Sequence, residues 1–457
     1  MLASPRFFVR LAAVVGGLVA LPLGACGGAD AEPASPPPPA VAAADAGGPT
    51  EACPSAGEGT LAIALKGAPA GAKVKVTIEG PSGKQDVEAP AEIPLPGGAY
   101  GVKGGLATAP DPIVRTVFTA AAVAGTTCVK DGARASVEIA YAAVPSSGRL
   151  WMIGTGVAGL ASAKLGATST QSPESFAASD GTTATAFDRD GGMWIAIGST
   201  LRHFAAAQFA ATGEKAADVT LDVPTGPAVD GAPRIGGLAL DRAGNLWFSS
   251  TTEDRVHRVA AEDLHASGAV SKYLTFGGVV RPRTLAFDAA GNLWIADGGD
   301  RGIVEYKAGR LGTSPTAGPD IQIAPLPPSG NEAERILSPN GIAFDASGNL
   351  WASYADRLIR LTPADQANSD PTPAVQILLG SLLAETIAFD ESGGLWGSES
   401  FDPPTLVRFS PDRLAASSAD AIEPERIVTL EPGGFEMARQ LALYPAPAGL
   451  PLASSLP

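Results

Sequence analysis

A hairpin repeat that carries every tryptophan of the chain constrains the fold more than any other feature. Its clearest copy, RTLAFDAAGNLWIADGGDRGIVEY, occupies residues 283 to 306. Alternation of apolar and polar residues predicts two strands, joined by a tight turn in which Asp288 accepts backbone hydrogen bonds and Gly291 supplies a positive φ. A third strand begins at Ile303. The segment therefore predicts an antiparallel meander.

The repeat occurs six times, with one tryptophan at the same position of each copy. Its tryptophans are Trp151, Trp194, Trp247, Trp294, Trp351 and Trp396. In each unit a short helical turn and then a fourth strand follow the third one. Four strands per repeat, with 43 to 57 residues between successive tryptophans, predict the blades of a β-propeller.

The residue at the middle of each first strand is alanine, which suits the crowded centre of a propeller. These positions are Ala186, Ala239, Ala286, Ala343, Ala388 and Ala442. Blade one lacks such a strand ahead of Trp151, whereas Leu441 to Tyr444 has the missing pattern. We expect the C-terminal strand to complete blade one and close the ring, so that no free sheet edge is left there. The prediction is an all-β chain with a six-bladed propeller over residues 144 to 457; a seventh, truncated blade is the alternative.

Repeats of the form GLAFDxxGNLWxAD, followed by a strand similar to R(I/L)xR(F/L), resemble the NHL, streptogramin-lyase and SMP-30/gluconolactonase group of propellers. The resemblance covers about residues 146 to 450. That group includes both enzymes and binding modules, so the resemblance implies the fold more specifically than the activity.

The N-terminus has the pattern of an export signal. Residues 1 to 25 contain two arginines and a short apolar run, and Leu-Gly-Ala before Cys26 resembles the lipobox of bacterial lipoproteins. The resemblance implies lipidation of Cys26, and Gly27 after it implies passage to the outer membrane; an ordinary signal peptide is the alternative. Residues 26 to 52 are rich in Pro and Ala and predict a disordered tether that spans up to roughly 80 Å.

Residues 53 to 143 predict a small β-sandwich that resembles immunoglobulin-like modules, since short alternating segments are separated by Gly and Pro turns. A role as a spacer or as a binding module is compatible with it. Cys53 and Cys128 are the two cysteines left after Cys26, and in an exported protein they predict a disulfide. Closing about 75 residues would stabilise the fold by roughly 4 to 5 kcal/mol.

The charge of the chain argues against a nucleic-acid partner. Thirty-two basic residues stand against 47 acidic ones, a net charge of −15, and no basic stripe is present. The expected partners are therefore a small molecule or a protein, with a membrane contacted only through the lipid anchor, and we expect a monomer.

Alignment of the first strands predicts which residues surround one end of the central channel. Two residues before the apolar residue of each strand stand Thr183, Gly236, Arg283, Asn340, Glu385 and Arg439. These side chains could satisfy one another as ion pairs around a water-filled channel, or they could form a polar binding pocket. Three residues after their tryptophans, Asp297, Tyr354 and Glu399 are candidates for the same end, or for turn positions.

The family resemblance adds a metal hypothesis. Ser338 to Ala343 is similar to the segment of SMP-30-like lactonases whose Asn binds a divalent ion, which implies Asn340 as a ligand and Glu385 as a second one. Such oxygen ligands suit Ca²⁺ or Mg²⁺. Arg283 and Arg439 would repel that ion and favour an anionic ligand such as a carboxylate.

Catalysis by histidine is not expected. The chain has three histidines, His203, His257 and His265, and all are predicted at the surface or at blade edges, whereas streptogramin lyases use a histidine in the channel. The prediction is an exported, lipid-anchored, non-catalytic binding module at the bacterial cell envelope. The alternative is a metal-dependent hydrolase or lyase of the lactonase or streptogramin-lyase type.

Overall fold

The computed structural model describes residues 53–178, 181–227, 235–314, 317–324, 338–379, 385–399, 403–431, 438–448 and 450. The predicted signal sequence, the tether and Cys26 lie outside these residues. Cys53–Pro457 forms one compact unit. Within the described ranges, no helix is long and apolar enough to cross a membrane.

Nine strands precede the propeller and form two sheets. They are β1 (Glu58–Lys66), β2 (Val74–Gly80), β3 (Gly83–Ala89), β4 (Ala91–Pro96), β5 (Gly98–Gly104), β6 (Ala107–Ala109), β7 (Thr116–Ala120), β8 (Thr127–Val129) and β9 (Arg134–Ala143). One sheet has the order β4-β1-β9-β7-β6 and the other β3-β2-β5-β8.

Every second side chain along these strands is buried in a core that the two sheets share, as expected because successive side chains of a strand point to opposite faces. Leu61, Val76 and Ile139 are fully buried there. The predicted disulfide between Cys53 and Cys128 is confirmed. The resemblance to immunoglobulin domains stays a prediction.

The propeller strands follow in six groups, which we number as blades 1 to 6 in chain order. Blade 1 contributes β10 (Arg149–Gly154), β11 (Gly156–Ala161), β12 (Ser169–Gln171) and β13 (Glu174–Ala178); blade 2, β14 (Thr182–Phe187), β15 (Met193–Ile197), β16 (Thr200–Phe204) and β17 (Val219–Asp222); blade 3, β18 (Ile235–Leu240), β19 (Leu246–Ser250), β20 (Arg255–Val259), β21 (Gly268–Ala269) and β22 (Leu274–Phe276); blade 4, β23 (Pro282–Phe287), β24 (Leu293–Asp297), β25 (Ile303–Tyr306) and β26 (Ile321–Ile323); blade 5, β27 (Gly341–Phe344), β28 (Leu350–Ser353), β29 (Arg357–Leu361) and β30 (Val375–Leu378); blade 6, β31 (Ile387–Phe389), β32 (Leu395–Glu399), β33 (Thr405–Phe409) and β34 (Arg426–Leu430).

The last strand, β35 (Ala438–Leu443), closes the ring. It pairs antiparallel with β10, with Trp151 opposite Ala442, so blade 1 has the strand order β13-β11-β10-β35. The other five blades are meanders whose first strand is innermost. The prediction of a six-bladed propeller completed by the C-terminus is confirmed.

The outer edge of a blade is covered by the loop of the next one. Strand β12 of blade 1 pairs in parallel with β34 of blade 6, and β21 of blade 3 pairs in parallel with β17 of blade 2. Side chains complete the cover: Ser314 Oγ accepts the N–H of Thr275. The loops therefore satisfy edge groups that could otherwise pair with another chain. They also carry five 3₁₀ helices at Ser162–Leu165, Ala206–Ala210, Ala261–Asp263, Ala308–Arg310 and Asp365–Ala367.

The Asp of the repeat motif joins the turn to the tryptophan. Asp288 Oδ1 accepts the N–H of Asn292 at 2.9 Å, and its Oδ2 accepts Asn292 Nδ2 at 2.8 Å and Trp294 Nε1 at 3.1 Å. Trp294 is 2% exposed and packs against Phe344 of the next blade. Asp241 and Asp345 make the same bonds in blades 3 and 5. The motif is thus a structural device that fixes the hairpin and the blade interface.

Two blades replace the Asn of the motif by Gly and supply the partner of the Asp from the third strand. In blade 2, His203 Nε2 lies 2.9 Å from Asp188 Oδ2, and a Cβ at Gly192 would lie 2.3 Å from that nitrogen. In blade 6, Arg408 Nε donates to Asp390 at 2.7 Å in the space that a side chain at 394 would fill. A glycine at this turn position therefore accompanies a cation inserted from the third strand.

The sandwich packs onto the turn end of the propeller, the end at which these Asp turns lie. Ile113 and Val114 are buried with residues of blades 1 and 6. Glu391 N donates to Ile113 O at 3.0 Å, and Arg115 Nε lies 2.9 Å from Glu391 Oε1 in a mostly buried ion pair. Arg115 Nη2 also donates to Ala446 O at 2.8 Å. The sandwich therefore holds the chain segment that follows β35.

Candidate functional site

The centre of the propeller contains a cavity of about 210 Å³. Its wall consists mainly of the six alanines of the inner strands and of the aliphatic and aromatic residues beside them. Thr185 N donates to Gln440 Oε1 at 2.6 Å, and Ile342 N to Thr284 Oγ1 at 3.1 Å, so neighbouring blades cap backbone donors of the inner strands. Thr185, Asp188 and Gln440 also line the cavity, so its interior is partly polar.

The cavity is bounded at the turn end by the segment after β35. Tyr444, Pro447 and Leu450 line it there, and Tyr444 donates a hydrogen bond from its hydroxyl to Arg189 O at 2.8 Å. Arg115 of the sandwich donates its hydrogen bond to Ala446 in the same segment. We call the opposite end of the inner strands the mouth.

The predicted mouth ring is formed by six residues at equivalent places. They are Thr183, Gly236, Arg283, Asn340, Glu385 and Arg439, two residues from the aliphatic ring that lines the cavity. The inner strands contact one another in chain order around the axis, with β35 between β31 and β14. Blades 1 and 4 are therefore opposite, and Arg439 and Arg283 approach the mouth from opposite sides.

Arg283 makes two hydrogen bonds to the neighbouring blade of the ring. It is half-buried and donates from Nη1 to Asn340 Oδ1 and to Pro339 O, the latter at 3.3 Å. Burial lowers its pKa, and the negative charge of Glu385 partly compensates. Its Nε and Nη2 have no hydrogen-bond partner in the described ranges. One edge of the guanidinium is thus anchored and the other can donate to an anion in bidentate fashion.

Arg439 is exposed, and within the described part of the chain it makes no hydrogen bond or ion pair. Arg283 is thus hydrogen-bonded to Asn340 and feels the charge of Glu385, while the choice between an ion-pair network and a binding pocket stays a prediction. A second guanidinium in the same ring is left without a partner. Two cations face one carboxylate at the mouth of a chain whose net charge is −15.

The residues fit a divalent ion poorly. Asn340 Oδ1, the oxygen expected to bind Ca²⁺ or Mg²⁺, accepts a hydrogen bond from Arg283, so a cation would have to displace a guanidinium. In the described ranges no group of three or more His, Cys, Asp or Glu could hold a metal. The assignment of Asn340 and Glu385 as metal ligands stays a prediction that the local charge disfavours.

Asp297 shapes the loops around Arg283. It is fully buried, and its carboxylate accepts the N–H of Val280 at 2.7 Å and of Gly299 at 2.8 Å. Burial raises its pKa, while the backbone hydrogen bonds act in the opposite direction. Asp297 is therefore a turn residue that positions the loops behind the ring, the first of the two roles expected from the sequence.

Tyr354 and Glu399 are buried, with 0% and 5% of their surface exposed. Neither the Tyr354 hydroxyl nor Glu399 Oε1 has a hydrogen-bond partner among the described residues. Burial raises the pKa of both groups. Tyr354 packs with residues of blades 4 and 5, and it therefore lies within a blade interface.

Two hydroxyls near the mouth, those of Ser250 and Ser398, were not anticipated from the sequence, and a third belongs to Thr183 of the predicted ring. Thr183, Ser250 and Ser398 carry buried oxygens with no partner in the described ranges. A buried polar group without a partner generally marks a place for a bound water or a ligand. Because serine and threonine are common in strands, only the equivalence of these positions to the end of the second strand or to the mouth ring could have indicated them.

The histidines lie on the third strands and after them, away from the mouth. His203 is paired with Asp188 and with Asp218, the latter at 2.9 Å. His257 is 3% exposed and stacks on Phe248, so the expectation of a surface position was wrong for it. The stacking ring and Glu253 at 3.0 Å provide for its burial.

Comparison with known proteins gives distant similarities. No family model and no curated protein matches the chain. Among solved structures, it is similar to a nidogen/laminin complex, with 17% identity and a TM-score of 0.38 over 61% of this chain and 97% of that one. It is also similar to a catalytically inactive virginiamycin B lyase from Staphylococcus aureus solved with quinupristin, with 11% identity and a TM-score of 0.34 over 51% and 67%.

A protein assigned as a gluconolactonase is similar at 17% identity, with a TM-score of 0.36 over 57% of this chain and 80% of that one. Solved structures similar to the chain thus include a virginiamycin B lyase and a protein assigned as a gluconolactonase, at identities and TM-scores too low to assign the chain to either family. The resemblance to NHL propellers stays a prediction. No residue role passes from these proteins to this chain.

Proposed function

We propose that the protein is a non-catalytic binding module whose propeller takes an anionic small molecule at the mouth. The observation that supports it is the state of the two arginines. Arg283 is held by Asn340 and Pro339 through one nitrogen and keeps its other edge available, while Arg439 opposite it has no partner in the described ranges. A carboxylate is the group that a guanidinium edge binds in bidentate geometry.

The chemistry of the ring favours binding over catalysis. General acid and base work requires a titrating group within hydrogen-bond reach of the substrate, and no histidine lies at the mouth. The carboxylate in the ring, Glu385, lies in the field of Arg283, which suits charge balance around a bound ligand. The site thus provides recognition and charge without an evident proton shuttle.

Export and lipid anchoring belong to the same proposal. The Cys53–Cys128 disulfide suits an oxidising compartment outside the cytoplasm. Attachment through Cys26 would tether the module to the cell envelope, most simply at the outer membrane. A Cys26→Ala variant that still fractionates with membranes would contradict the anchor and leave the binding site untouched.

Calorimetric titration with acetate, benzoate and succinate at low ionic strength tests the binding function. We expect at least one carboxylate to bind, Arg283→Gln to weaken it tenfold or more, and added salt to weaken it as well. Arg310→Gln is the matched control, because it removes the same charge from a blade loop paired with Asp320. Equal binding by both variants would refute the assignment of Arg283.

The metal-dependent alternative has its own test. We expect Ca²⁺, Mg²⁺, Mn²⁺ and Zn²⁺ to leave the melting temperature unchanged, since Arg283 already occupies the Asn340 oxygen. A rise with one of these ions that disappears in Asn340→Ala would show that the ion displaces Arg283, and the hydrolase or lyase proposal would replace this one.

A further inference from the structure

Arg281, the residue before the inner strand of blade 4, has a backbone conformation that an arginine rarely adopts. Its φ is 48°, in the left-handed region, and it precedes Pro282, which favours an extended conformation in the residue before it. The equivalent residue of blade 2 is Gly181, with a φ of 86°. Because glycine adopts this region at no steric cost, the blade fold requires the conformation here but does not require an arginine.

Two hydrogen bonds hold Arg281 in the left-handed conformation. Its N–H donates to Asp254 Oδ1 at 2.7 Å, and its C=O accepts the N–H of Gly298 at 3.1 Å. Asp254 is left-handed as well, with a φ of 54°. Unfavourable backbone conformations that the surroundings fix in this way are concentrated at ligand-binding and active sites.

The backbone of Arg281 brings it close to Arg283. A side chain at Gly298 would begin 3.2 Å from Arg281 Cβ and 3.0 Å from Arg283 Nε, so both arginines approach one point that the glycine leaves open. Burial lowers the pKa of Arg283 and the charge of Arg281 lowers it further, while Glu385 and Asp297 act in the opposite direction. The Arg281 side chain is exposed, and in the described ranges it makes no hydrogen bond or ion pair.

The neighbouring acid does not neutralise Arg281. Asp254 Oδ1 accepts the backbone N–H of Arg281, and no ion pair joins Asp254 to an arginine in the part of the chain that the structure describes. Two like charges therefore lie side by side at blade 4. A ligand with two negative charges would relieve their repulsion more than a ligand with one.

We propose that Arg281 is a second anion-binding residue of the mouth, and that the ligand is a dicarboxylate with one carboxylate on Arg283 and the other on Arg281. This rests on the proposed function and specifies its ligand class. Each guanidinium can bind one carboxylate through two parallel hydrogen bonds. The side chain of Arg281 thus accounts for an arginine at a position where glycine would be less strained.

The test is calorimetric titration of the protein with acetate and succinate at low ionic strength. We expect succinate to bind about tenfold more tightly than acetate. Arg281→Gln should remove this preference and change acetate binding by less than about threefold, since Arg283 is retained. Arg242→Gln is the matched control, because it removes an exposed arginine from a turn at the opposite end of the propeller.

A glycine at the same position tests the strain. Arg281→Gly removes the guanidinium and also the steric cost of the left-handed conformation. This variant should lose the preference for succinate and should melt at a higher temperature than Arg281→Gln. A lower melting temperature for the glycine variant would show that the conformation is not strained, and the inference would be overturned.

The outcomes separate this inference from the proposed function. Succinate that binds no more tightly than acetate, or a preference that survives in Arg281→Gln, would overturn the role of Arg281 and leave anion binding by Arg283 intact. If neither anion binds, the proposed function fails and this inference fails with it.

Discussion

We expect the substitution Arg408→Ala to lower the free energy of unfolding more than the same substitution of an exposed arginine. Its side chain is 5% exposed and its partner Asp390 is 0% exposed. Arg408 Nε donates to Asp390 Oδ2 and its Nη2 donates to Ser392 Oγ, both at 2.7 Å. Removal of one partner of a buried ion pair generally costs about 3 to 5 kcal/mol.

The hydrogen bonds that Asp390 keeps in the variant determine where in this range the loss of stability should fall. In Arg408→Ala, Asp390 would still accept the Trp396 Nε1 proton at 3.0 Å and the N–H of Gly394 at 2.8 Å. We therefore expect a loss near the lower limit, about 3 kcal/mol in the free energy of unfolding. Urea denaturation followed by tryptophan fluorescence measures it as a lower midpoint.

A control and a rescue make the argument specific. Arg360 has the same position in blade 5, but it stacks on the Trp351 ring at 5.8 Å, and Asp345 is satisfied by Asn349. Arg360→Ala should thus cost about 0.5 to 1 kcal/mol.

Adding Gly394→Asn to Arg408→Ala places an amide where the guanidinium was, as in blades 3 to 5, and should recover about 1.5 kcal/mol or more. Equal losses for the two arginines, or no recovery with the asparagine, would refute the idea that the turn glycine and the inserted cation form one unit.

Three further predictions concern titration and the disulfide. Burial disfavours the charged form of His203, but Asp188 and Asp218 outweigh burial and raise the pKa of the imidazole. The stabilisation by the charged imidazole is therefore present at low pH and lost as the pH rises through the pKa of the folded state. His203→Gln should lose more stability at pH 6 than at pH 9, and equal losses would contradict this. Burial raises the pKa of Glu399, so its contribution falls as the pH rises, and Glu399→Gln should raise the melting temperature at pH 7 but not at pH 4. Replacing Cys53 and Cys128 together by Ser should cost about 4 kcal/mol in the urea-derived stability, and a loss below 1 kcal/mol would show that the cross-link constrains little.

The architecture was predictable because one physical constraint acts six times. Each blade buries a tryptophan, so Gly and Trp recur at fixed offsets in all six copies and the turn Asp recurs in five of them. The closing strand was predictable for the same reason, since Ala442 repeats the small residue of the inner strands. The partners of Asp188 and Asp390 could not be predicted, because His203 and Arg408 reach these carboxylates from the third strand in place of an asparagine in the turn.

The site was predictable only as a set of positions. The register of the inner strands placed Arg283, Asn340 and Glu385 together, but it could not show that Arg283 donates to the Asn340 oxygen, since this depends on side-chain conformation. It also could not show that Glu399 and Tyr354 are buried without partners in the described ranges. Contacts across blade interfaces join residues tens of positions apart, and periodicity carries no information about them.

The contrast between the two ends of the propeller locates the function. At the turn end, blades 3 to 6 satisfy the tryptophan in the same way, with the indole N–H donated to the carboxylate of the turn Asp, and in blade 1 the Trp151 indole donates to Ser146 O instead. At the mouth, equivalent positions carry Thr183, Gly236, Arg283, Asn340, Glu385 and Arg439, which differ in size and in charge. The blade fold cannot require such a mixture, because six backbones of one shape would accept one residue type. The mouth is therefore the part of the ring in which individual side chains are free to recognise a ligand, and the unpartnered guanidinium edge of Arg283 is the most direct expression of that freedom.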